Sequence, residues 1–511
     1  MPLAALRALD PQVMEAPSTH DPIVLARVGL LVACVVVAFW TGADPDLWGH
    51  LRFGQDILAA GSVPRADPYS FTSDRAWVNH EWLSEVAMYL AWRAGGSAGL
   101  IILKVAVLAS VLLIVFHALR WRLGASVGTE ALAFVAMFGL TPRLLAIRPQ
   151  LFSLVLFAAL LALIAAADDG RRRALVAIPL IFLAWVNLHG GWLVGAAVLA
   201  IWIGFRLPAP GCSRRVRLEL VGTAAASALA TLCNPYGIGM WRFLEGTVGL
   251  DRADISDWQP MLRMPAAIIV CWSLAVLVAI VVTVRLGRRQ DPARLAITAL
   301  LGYASFRVNR LDAFFALTVV LLLAPQLWRA TVRGTATGRA AGGGVQRTAF
   351  AAAGAALIVV PAALAMHPQI GCISIAQAYM PEREAGRFIL ENHLSGRMVT
   401  WFSWGEYVIW HAGPRLQVSL DGRRETVYTD RALQANYAFF TAQPGHLDYP
   451  VRSHADFVWL PNRLPASAAL ERQGWLRVFK GPLSSIFARP DRDRRYVQPA
   501  RAGGAACFPG P

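Results

Sequence analysis

The stretch VGLLVACVVVAFWTGADPDLWGHLRFG, residues 28–54, joins an apolar run to a segment that carries two acids and a histidine. The apolar run extends back to residue 23 and can cross a bilayer core of about 30 Å as a helix. No small-residue cleavage site follows it, so we interpret it as a retained membrane pass and not as a signal peptide. Asp44 and Asp46 then fall where the chain leaves the membrane, and His50 shares a face with Asp46 if a helix starts there.

The composition places this junction in a largely membrane-embedded chain. The 511 residues are 56% hydrophobic and only 16% charged, with a mean hydropathy of +0.48. Soluble globular domains are nearer about 25% charged. The chain therefore has too few charges to cover a water-facing surface of its size, and its apolar surplus argues against disorder.

Further apolar segments recur along the chain at lengths that suit membrane helices. Together with the first they predict about 11 passes. Two pairs of neighbouring segments, which meet near residues 189 and 309, could each be a hairpin or one broken helix. The predicted passes are residues 23–41, 98–119, 127–143, 150–167, 174–188, 190–206, 218–234, 266–285, 294–306, 312–328 and 348–366.

The net charge of +16 is carried almost entirely by arginine, since Lys104 and Lys480 are the only lysines. The arginines concentrate in alternate loops between the apolar segments, as the positive-inside rule requires of cytoplasmic loops. This pattern argues against a nucleic-acid partner. It also predicts a cytoplasmic N-terminus, residues 1–22. The arginine-rich loops are at 120–122, 171–173, 206–217, 285–294 and 329–347.

The chain changes character after the last predicted pass. Charged and polar residues return over 367–490, where alternating stretches predict short strands and 381–393 predicts an amphipathic helix. We therefore expect a multi-pass α-helical membrane domain over 23–366 and a small external α/β domain over 367–490. The predicted strands are at 398–403, 407–410, 416–420 and 456–460.

The end of the chain carries two further expectations. Residues 491–511 alternate arginine with aspartate and then turn to glycine and alanine, so we expect them to be disordered. Cys372 and Cys507 could form a disulfide if both face an oxidising compartment.

Polar side chains collect on the external side of the predicted passes. Two amphipathic stretches in the large first external loop, residues 42–97, carry some of them, and the others lie at the external ends of later passes. Polar breaks are unfavourable against lipid, so we expect these residues to line a wet, protein-walled cavity. Arginines in such a cavity suit a phosphate or pyrophosphate. The residues are Asp44, Asp46, His50, His80, Glu81, Arg148, Asn187, His189, Asp257, Arg307 and Arg310.

Several of these residues also have a purely structural interpretation. Asp44, followed by proline, could serve as a helix N-cap. His80 and Glu81 could be a solvated helix start. In the external domain, Asp421 and Arg423 follow a predicted strand and could form a strand-end turn, or they could face the cavity and touch substrate.

The architecture resembles the GT-C superfamily of integral-membrane glycosyltransferases, with many passes, a cytoplasmic N-terminus, acids just after the first pass in a large external loop, and a soluble external tail. Six motifs together also resemble a group of bacterial membrane proteins described as glycosyltransferase-like. That superfamily includes protein O-mannosyltransferases, lipid A aminoarabinose transferases and the catalytic subunit of oligosaccharyltransferase. The chain lacks the adjacent Asp-Glu pair of the mannosyltransferases in its first loop, and its tail lacks the WWD motif of oligosaccharyltransferase. The motifs are DPDLWGHLRFG at 44–54, WVNHEW at 77–82, RPQLFS at 148–153, NLHGG at 187–191, NPYG at 234–237 and LDGR at 420–423.

The resemblance implies an enzyme of the bacterial inner membrane that moves a sugar from a polyprenyl-phosphate lipid to an acceptor on the external face, with inversion. The external domain would be periplasmic or extracellular. Asp46 or Asp44 would be the general base, and Arg148, Arg307 and Arg310 would hold the leaving phosphate. The resemblance does not specify the sugar, or whether the acceptor is a protein, a lipid or a glycan.

Some relatives use a divalent cation and others do not, and the resemblance implies no other cofactor. Asp44, Asp46, His50, His80 and Asp257 offer oxygen and imidazole ligands, although no spacing among them defines a metal site. Two other functions fit the same features. One is a transporter or flippase for a lipid-linked sugar or another anion, and the other is a non-catalytic envelope scaffold with the same fold.

Overall fold

The computed structural model describes residues 41–124, 127–247, 252, 255–327, 372–375, 380–492, 494–500 and 507–511. The N-terminal residues 1–22, the predicted pass at 348–366 and all but the last residue of the pass at 23–41 lie outside the described residues. So does the last arginine-rich loop.

The membrane region is built of helices, and each of the nine predicted passes that fall within the described residues coincides largely with one of them. The total of about 11 passes stays a prediction. The helices are α1 (Leu47–Ala60), α2 (Trp82–Leu123), α3 (Val127–Leu144), α4 (Gln150–Asp168), α5 (Ala174–Leu188), α6 (Trp192–Arg206), α7 (Arg214–Ala230), α8 (Gly239–Thr247), α9 (Ala266–Leu286), α10 (Pro292–Arg307) and α11 (Asp312–Thr318), which continues as a π-helix over Val319–Leu323.

Four helical segments within the described residues are long and apolar enough to cross a membrane. They are Trp82–Leu123, Gln150–Asp168, Ala266–Arg289 and Asn309–Leu327. Ala174–Leu188 and Trp192–Arg206 are shorter apolar helices.

Helix α2 begins in the external loop and enters the apolar region after a break. Gly95 and Gly96 have non-helical backbone angles, with φ of −156° and +56°. The break falls at the predicted end of the first external loop, residues 42–97, just before the predicted pass at 98–119. The long helix therefore consists of two segments on either side of the break, and the first segment carries the acid Glu85.

The helices pack around a continuous apolar core and leave other faces open to lipid. Phe157 of α4 meets Phe314 of α11 edge-on, with ring centres 4.8 Å apart. Val270, Leu277 and Val284 of α9 are exposed. Exposed branched residues along a helix of this length are expected where the neighbour is hydrocarbon and not water.

The external region holds a small sheet flanked by helices, as the sequence predicted. Strands β1, β2 and β3 are parallel, β5 runs antiparallel to β3 and β4, and the order is β2-β1-β3-β5-β4. The strands are β1 (Gly396–Thr400), β2 (Leu416–Val418), β3 (Phe457–Pro461), β4 (Leu476–Lys480) and β5 (Ser484–Ala488). The helices are α12 (Arg383–Glu391), α13 (Gly405–Ala412), α14 (Asp430–Phe440), α15 (Tyr449–Arg452) and α16 (Pro465–Arg472).

Two details of this domain differ from the sequence prediction. Residues 407–410, predicted as a strand, lie in helix α13. A short apolar run fits a buried helix as well as a buried strand, and periodicity alone does not separate the two. The hairpin of β4 and β5 was not predicted, because β5 is buried along its whole length and shows no alternation.

The end of the chain is fixed to the domain core. Cys372 and Cys507 form a disulfide. Phe508 packs on Trp48 and Trp92 at ring-centre distances of 5.0 and 5.3 Å, and Trp48 Nε1 donates to the carbonyl of Pro509 at 2.9 Å. Aromatic contacts and a covalent link thus hold the described residues 507–511 in place, which differs from the disorder expected for this part of 491–511.

Candidate functional site

The start of α1 brings both acids of the first loop to the external ends of the helices. Asp44 is buried, and its Oδ1 accepts a hydrogen bond from the backbone N–H of Asp46 at 3.0 Å. The N–H of His50 donates to the carbonyl of Asp46 at 3.0 Å, which places His50 one helical turn further on. Asp44 therefore closes a turn directly before α1, but the N-cap residue of that helix is Asp46 and not Asp44.

Arg148 joins Asp44 to the loop that follows α8. Its guanidinium forms ion pairs with Asp44 and with Asp257. Arg143, at the end of α3, contacts Asp257 at 3.2 Å and Asp312 at 2.9 Å. Burial would raise the pKa of Asp257, but Arg148 and Arg143 outweigh it and lower that pKa to about 2. This chain of ion pairs sets three acids against two arginines, so Arg148 has little free charge for a ligand.

Asp46 stands apart from these ion pairs. Among the residues that the structure describes, no side chain donates a hydrogen bond to its carboxylate. Burial, reinforced by the negative charge of Asp44, raises the pKa of Asp46 to about 7, although His50 and Arg148 pull it down. A carboxylate that titrates near neutrality is suited to take a proton from a substrate.

His50 is oriented by a pair of residues from the start of α2. Its Nδ1 lies 3.2 Å from Glu85 Oε1, and Asn79 Nδ2 donates to Glu85 Oε2 at 2.6 Å. Burial would lower the pKa of His50, but its hydrogen bond to Glu85 and the charge of Glu85 outweigh burial and raise the pKa to about 9. A positive imidazolium therefore lies one turn from Asp46 at neutral pH.

A second polar group surrounds Glu81. Glu81 Oε1 lies 3.5 Å from the Nε2 atoms of both His80 and His189. The N–H of Gly191 donates to His189 Nδ1 at 3.0 Å, so Nδ1 is an acceptor, and Nε2 faces Glu81. Burial opposes ionisation of Glu81, but its cationic neighbours, His80 first among them, outweigh burial and lower its pKa to about 2.

Arg310 completes this second group. Its Nη2 lies 3.3 Å from His189 Nε2, and its guanidinium carbon is 5.8 Å from the ring centre of Trp258. Within the described part of the chain, Arg310 has no carboxylate ion pair. Of the three arginines that the sequence assigned to a phosphate, Arg310 is therefore the one placed to accept an anion.

Two of the residues selected from sequence do not enter either group. Arg307 is exposed at the end of α10. Asn187 accepts from Trp82 Nε1 at 3.0 Å and donates to the carbonyl of Cys233 at 2.9 Å, so its amide joins three segments of chain.

Asp421 and Arg423 lie where the external domain docks on the first loop. Arg423 donates to both oxygens of Asp67 at 2.7 and 2.9 Å, and to Asp421 at 2.9 and 2.7 Å. Its guanidinium carbon is 4.8 Å from the ring centre of Trp77. The polar atoms of Asp421 and Arg423 are thus engaged within the interface, as the strand-end-turn interpretation favoured.

The same interface extends the sheet. The N–H of Phe71 donates to the carbonyl of Val418 at 3.2 Å, and the N–H of Val418 donates to the carbonyl of Tyr69 at 3.0 Å. The first loop therefore pairs with the edge strand β2. This pairing places the turn that follows β2 next to Asp46, with Gly422 of the turn in closest approach to the Asp46 carboxyl group.

Three functional side chains were missed from the sequence. Arg143 lies within a predicted pass, where we took arginine as a helix-end anchor. Glu85 lies one helical turn after Glu81, and that spacing was a usable signal. Glu406 is the isolated acid in the stretch WGEYVIW at 404–410, directly before residues 407–410, which we had predicted as a strand.

The candidate metal ligands do not form a metal centre in this structure. Among the described residues, no group of three or more His, Cys, Asp or Glu side chains could hold an ion. Asp44 and Asp257 are bound to Arg148, and Nδ1 of His50 to Glu85. The arrangement does not fit a metal, and we derive no step through one.

No protein-family model matches the sequence, and no curated protein is significantly similar to it. Several solved structures are similar in fold. The oligosaccharyltransferase AglB from Archaeoglobus fulgidus, in complex with an inhibitory peptide and a dolichol-phosphate, has a TM-score of 0.54 at 12% identity, over 85% of this chain and 69% of its own. ArnT from Cupriavidus metallidurans, in the apo state, has a TM-score of 0.51 at 12% identity, over 91% and 97%.

The chain has the GT-C fold. The arabinofuranosyltransferase AftD from Mycobacteria is also similar, with a TM-score of 0.50 at 15% identity, over 90% of this chain and 41% of AftD. The resemblance of the architecture to the GT-C superfamily is thereby confirmed at the level of the fold.

Proposed function

We propose that this GT-C chain is a membrane glycosyltransferase that moves a sugar from a polyprenyl-phosphate donor to an acceptor hydroxyl on the external face. The similar AglB structure holds a dolichol-phosphate, which supports this class of donor. A transporter or flippase would need no general base, and the placement of Asp46 favours the transferase.

The observation that carries the proposal is the difference between the two acids of the first loop. Asp44 is paired with Arg148 and accepts a hydrogen bond from the N–H of Asp46, whereas Asp46 is left with a pKa near 7. General-base catalysis needs an ionised group with a free lone pair in reach of the proton. We therefore assign the base to Asp46 and a structural role to Asp44.

The reaction follows from this assignment. The acceptor oxygen attacks the anomeric carbon while its proton passes to Asp46. The bond from that carbon to the phosphate oxygen breaks, and the electron pair leaves with the phosphate. A single displacement inverts the anomeric configuration. Arg310, with His80 and the imidazolium of His50 nearby, would offset the charge that develops on the phosphate.

The orientation belongs to the same proposal. Asp168, at the other end of α4 from Arg148, pairs with Arg206 at 2.8 Å and Arg294 at 2.6 Å, both from arginine-rich loops. These loops fit the cytoplasmic side, which leaves Asp46 and the external domain on the periplasmic or extracellular side of a bacterial inner membrane. The proposed limits remain residues 23–366 for the membrane domain and residues 367–490 for the external domain.

The test is complementation of a deletion strain by Asp46→Asn, with Asp44→Asn beside it and the exposed Asp448→Asn as the matched control. Mass spectrometry of lipid-linked sugars and envelope glycans gives the readout. We expect D46N to accumulate donor and lose one sugar from the acceptor, while D448N restores the wild-type profile. Normal transfer in D46N at wild-type protein level would refute the assignment of the base.

A further inference from the structure

Glu406 of the external domain lies close to the same glycine as the candidate base, Gly422, and is almost fully buried. It is in the first turn of α13 and is 3% exposed. Its Oε2 is buried, and within the described residues that atom has no hydrogen-bond partner. A buried carboxyl oxygen without a partner is rare in folded proteins and calls for a physical explanation.

Two glycines make room for this carboxyl group. A Cβ atom at Gly49 of α1 would collide with Glu406 Oε2. A Cβ atom at Gly422 would collide with Asp46 Oδ1 and would lie 3.0 Å from Glu406 Oε1. Oδ1 of Asp46 and Oε1 of Glu406 therefore both face the space above Gly422, one from the first loop and one from the external domain.

Two ionised carboxylates in such a gap would repel each other strongly. The groups that face Glu406 are Asp46 and Glu85 from the loop side, and Asp421 and Arg423 from the domain side. Burial, followed by the negative charges of Asp46 and Asp421, raises the pKa of Glu406 well above its usual value. Arg423 opposes this shift but is already bound to Asp421 and Asp67.

We propose that Glu406 is a positioning residue for Asp46, and that its carboxyl O–H donates a hydrogen bond to the Asp46 carboxylate across the interface. The proposal rests on the proposed function only for the role of Asp46 as base. The bond fixes the rotamer of Asp46 and leaves its second oxygen for the acceptor hydroxyl. The external domain thereby completes the site, because a chain without it would leave Asp46 unsupported.

The first test needs no substrate. Infrared spectra of the full-length protein in lipid nanodiscs record the C=O band of protonated carboxyl groups near neutral pH. We expect Glu406→Gln to remove one such band and Asp46→Asn to shift the same band, because the acceptor charge is lost. Glu382→Gln is the matched control, since Glu382 is a buried acid of the same domain bound to Ser484 at 2.7 Å. If E382Q also removes a carboxyl band, we expect the position of that band to be the same in D46N as in the wild type.

The second test measures transfer in the complemented strain. We expect Glu406→Ala to lower transfer by about tenfold or more, and Glu406→Gln to restore most of that loss, because the amide also donates to Asp46. An equal loss of transfer in E406A and E406Q would overturn the proposal. So would an infrared band of Glu406 that keeps its position in D46N. Normal transfer by D46N with the band shift intact would instead overturn the proposed base and leave the carboxyl pair standing.

Discussion

The guanidinium of Arg148 forms ion pairs with both Asp44 and Asp257, so that one arginine links two acids from distant parts of the chain. The pairing draws the start of α1 and the loop after α8 against the start of α4. It also leaves Asp46 as the unpaired acid of the DPD motif. The relationship suggests separate tests for the structural and the chemical member of the motif.

Replacing Arg148 should destabilise the protein. Arg148→Ala leaves Asp44 buried without its arginine and leaves Asp257 with Arg143 alone, which is expected to lower the free energy of unfolding by about 3–5 kcal/mol. Thermal unfolding of the purified protein in lipid nanodiscs measures the change. Arg307→Ala, at an exposed arginine outside the site, is the control and should unfold as the wild type does. A wild-type midpoint for R148A would contradict the bridging role.

The transfer rate should depend on pH through Asp46. A base must be ionised, so activity should fall as pH drops through about 7, where the pKa of Asp46 lies. Asp44→Asn removes a charge that raises this pKa, and the acid limb should move to lower pH. Rates measured in membranes across the pH range provide the check. An acid limb that stays in place in D44N would mean that Asp44 and Asp46 are not coupled.

Glu85 should make His50 a pH-dependent source of stability. The folded-state pKa of His50 is raised from 6.5 to about 9, so its contribution is complete below 6.5 and is lost as pH rises through about 9. Glu85→Gln should therefore destabilise by about 2 kcal/mol in acid and by less in alkali. Thermal midpoints at both ends of that range distinguish this from a pH-independent packing defect.

The Arg423–Asp67 pair should hold the external domain to the first loop. Arg423→Met leaves Asp67 and Asp421 buried without their cation, and residues 62–78 should exchange amide hydrogens faster. Hydrogen exchange followed by mass spectrometry measures this. Arg463→Met, at an exposed arginine of the same domain, should leave exchange in that segment unchanged. Wild-type protection of residues 62–78 from hydrogen exchange in R423M would show that the pairing of this loop with β2 holds the domain without the Arg423–Asp67 ion pair.

The disulfide should keep the last residues against α1. Cys507→Ser with Cys372→Ser removes the link that holds Phe508 on Trp48 and Trp92. We expect residues 507–511 to lose protection from hydrogen exchange and the Trp48 environment to become more polar. Tryptophan fluorescence of the double variant reports the second effect. Cys212→Ser is the control, because Cys212 is a free cysteine between α6 and α7, and this variant should behave as the wild type does.

Much of the helical region followed from the sequence because apolar run length and arginine placement are local signals. The break at Gly95 and Gly96 fell at the predicted end of the first external loop for the same reason. The external domain was harder, because α13 and the buried strand β5 are short apolar runs whose state is decided by neighbours.

The site divides in the same way. The sequence alone placed Asp44, Asp46, His50, Glu81, His189 and Arg310 on one side of the membrane, since residue type and distance from apolar runs suffice for that. Only the tertiary structure decided which of them remain free. Arg148 binds Asp44, Glu85 binds His50, and Glu406 reaches Asp46 from more than 350 residues away along the chain. Partners so distant in sequence meet through packing of whole elements, and no local pattern encodes that meeting.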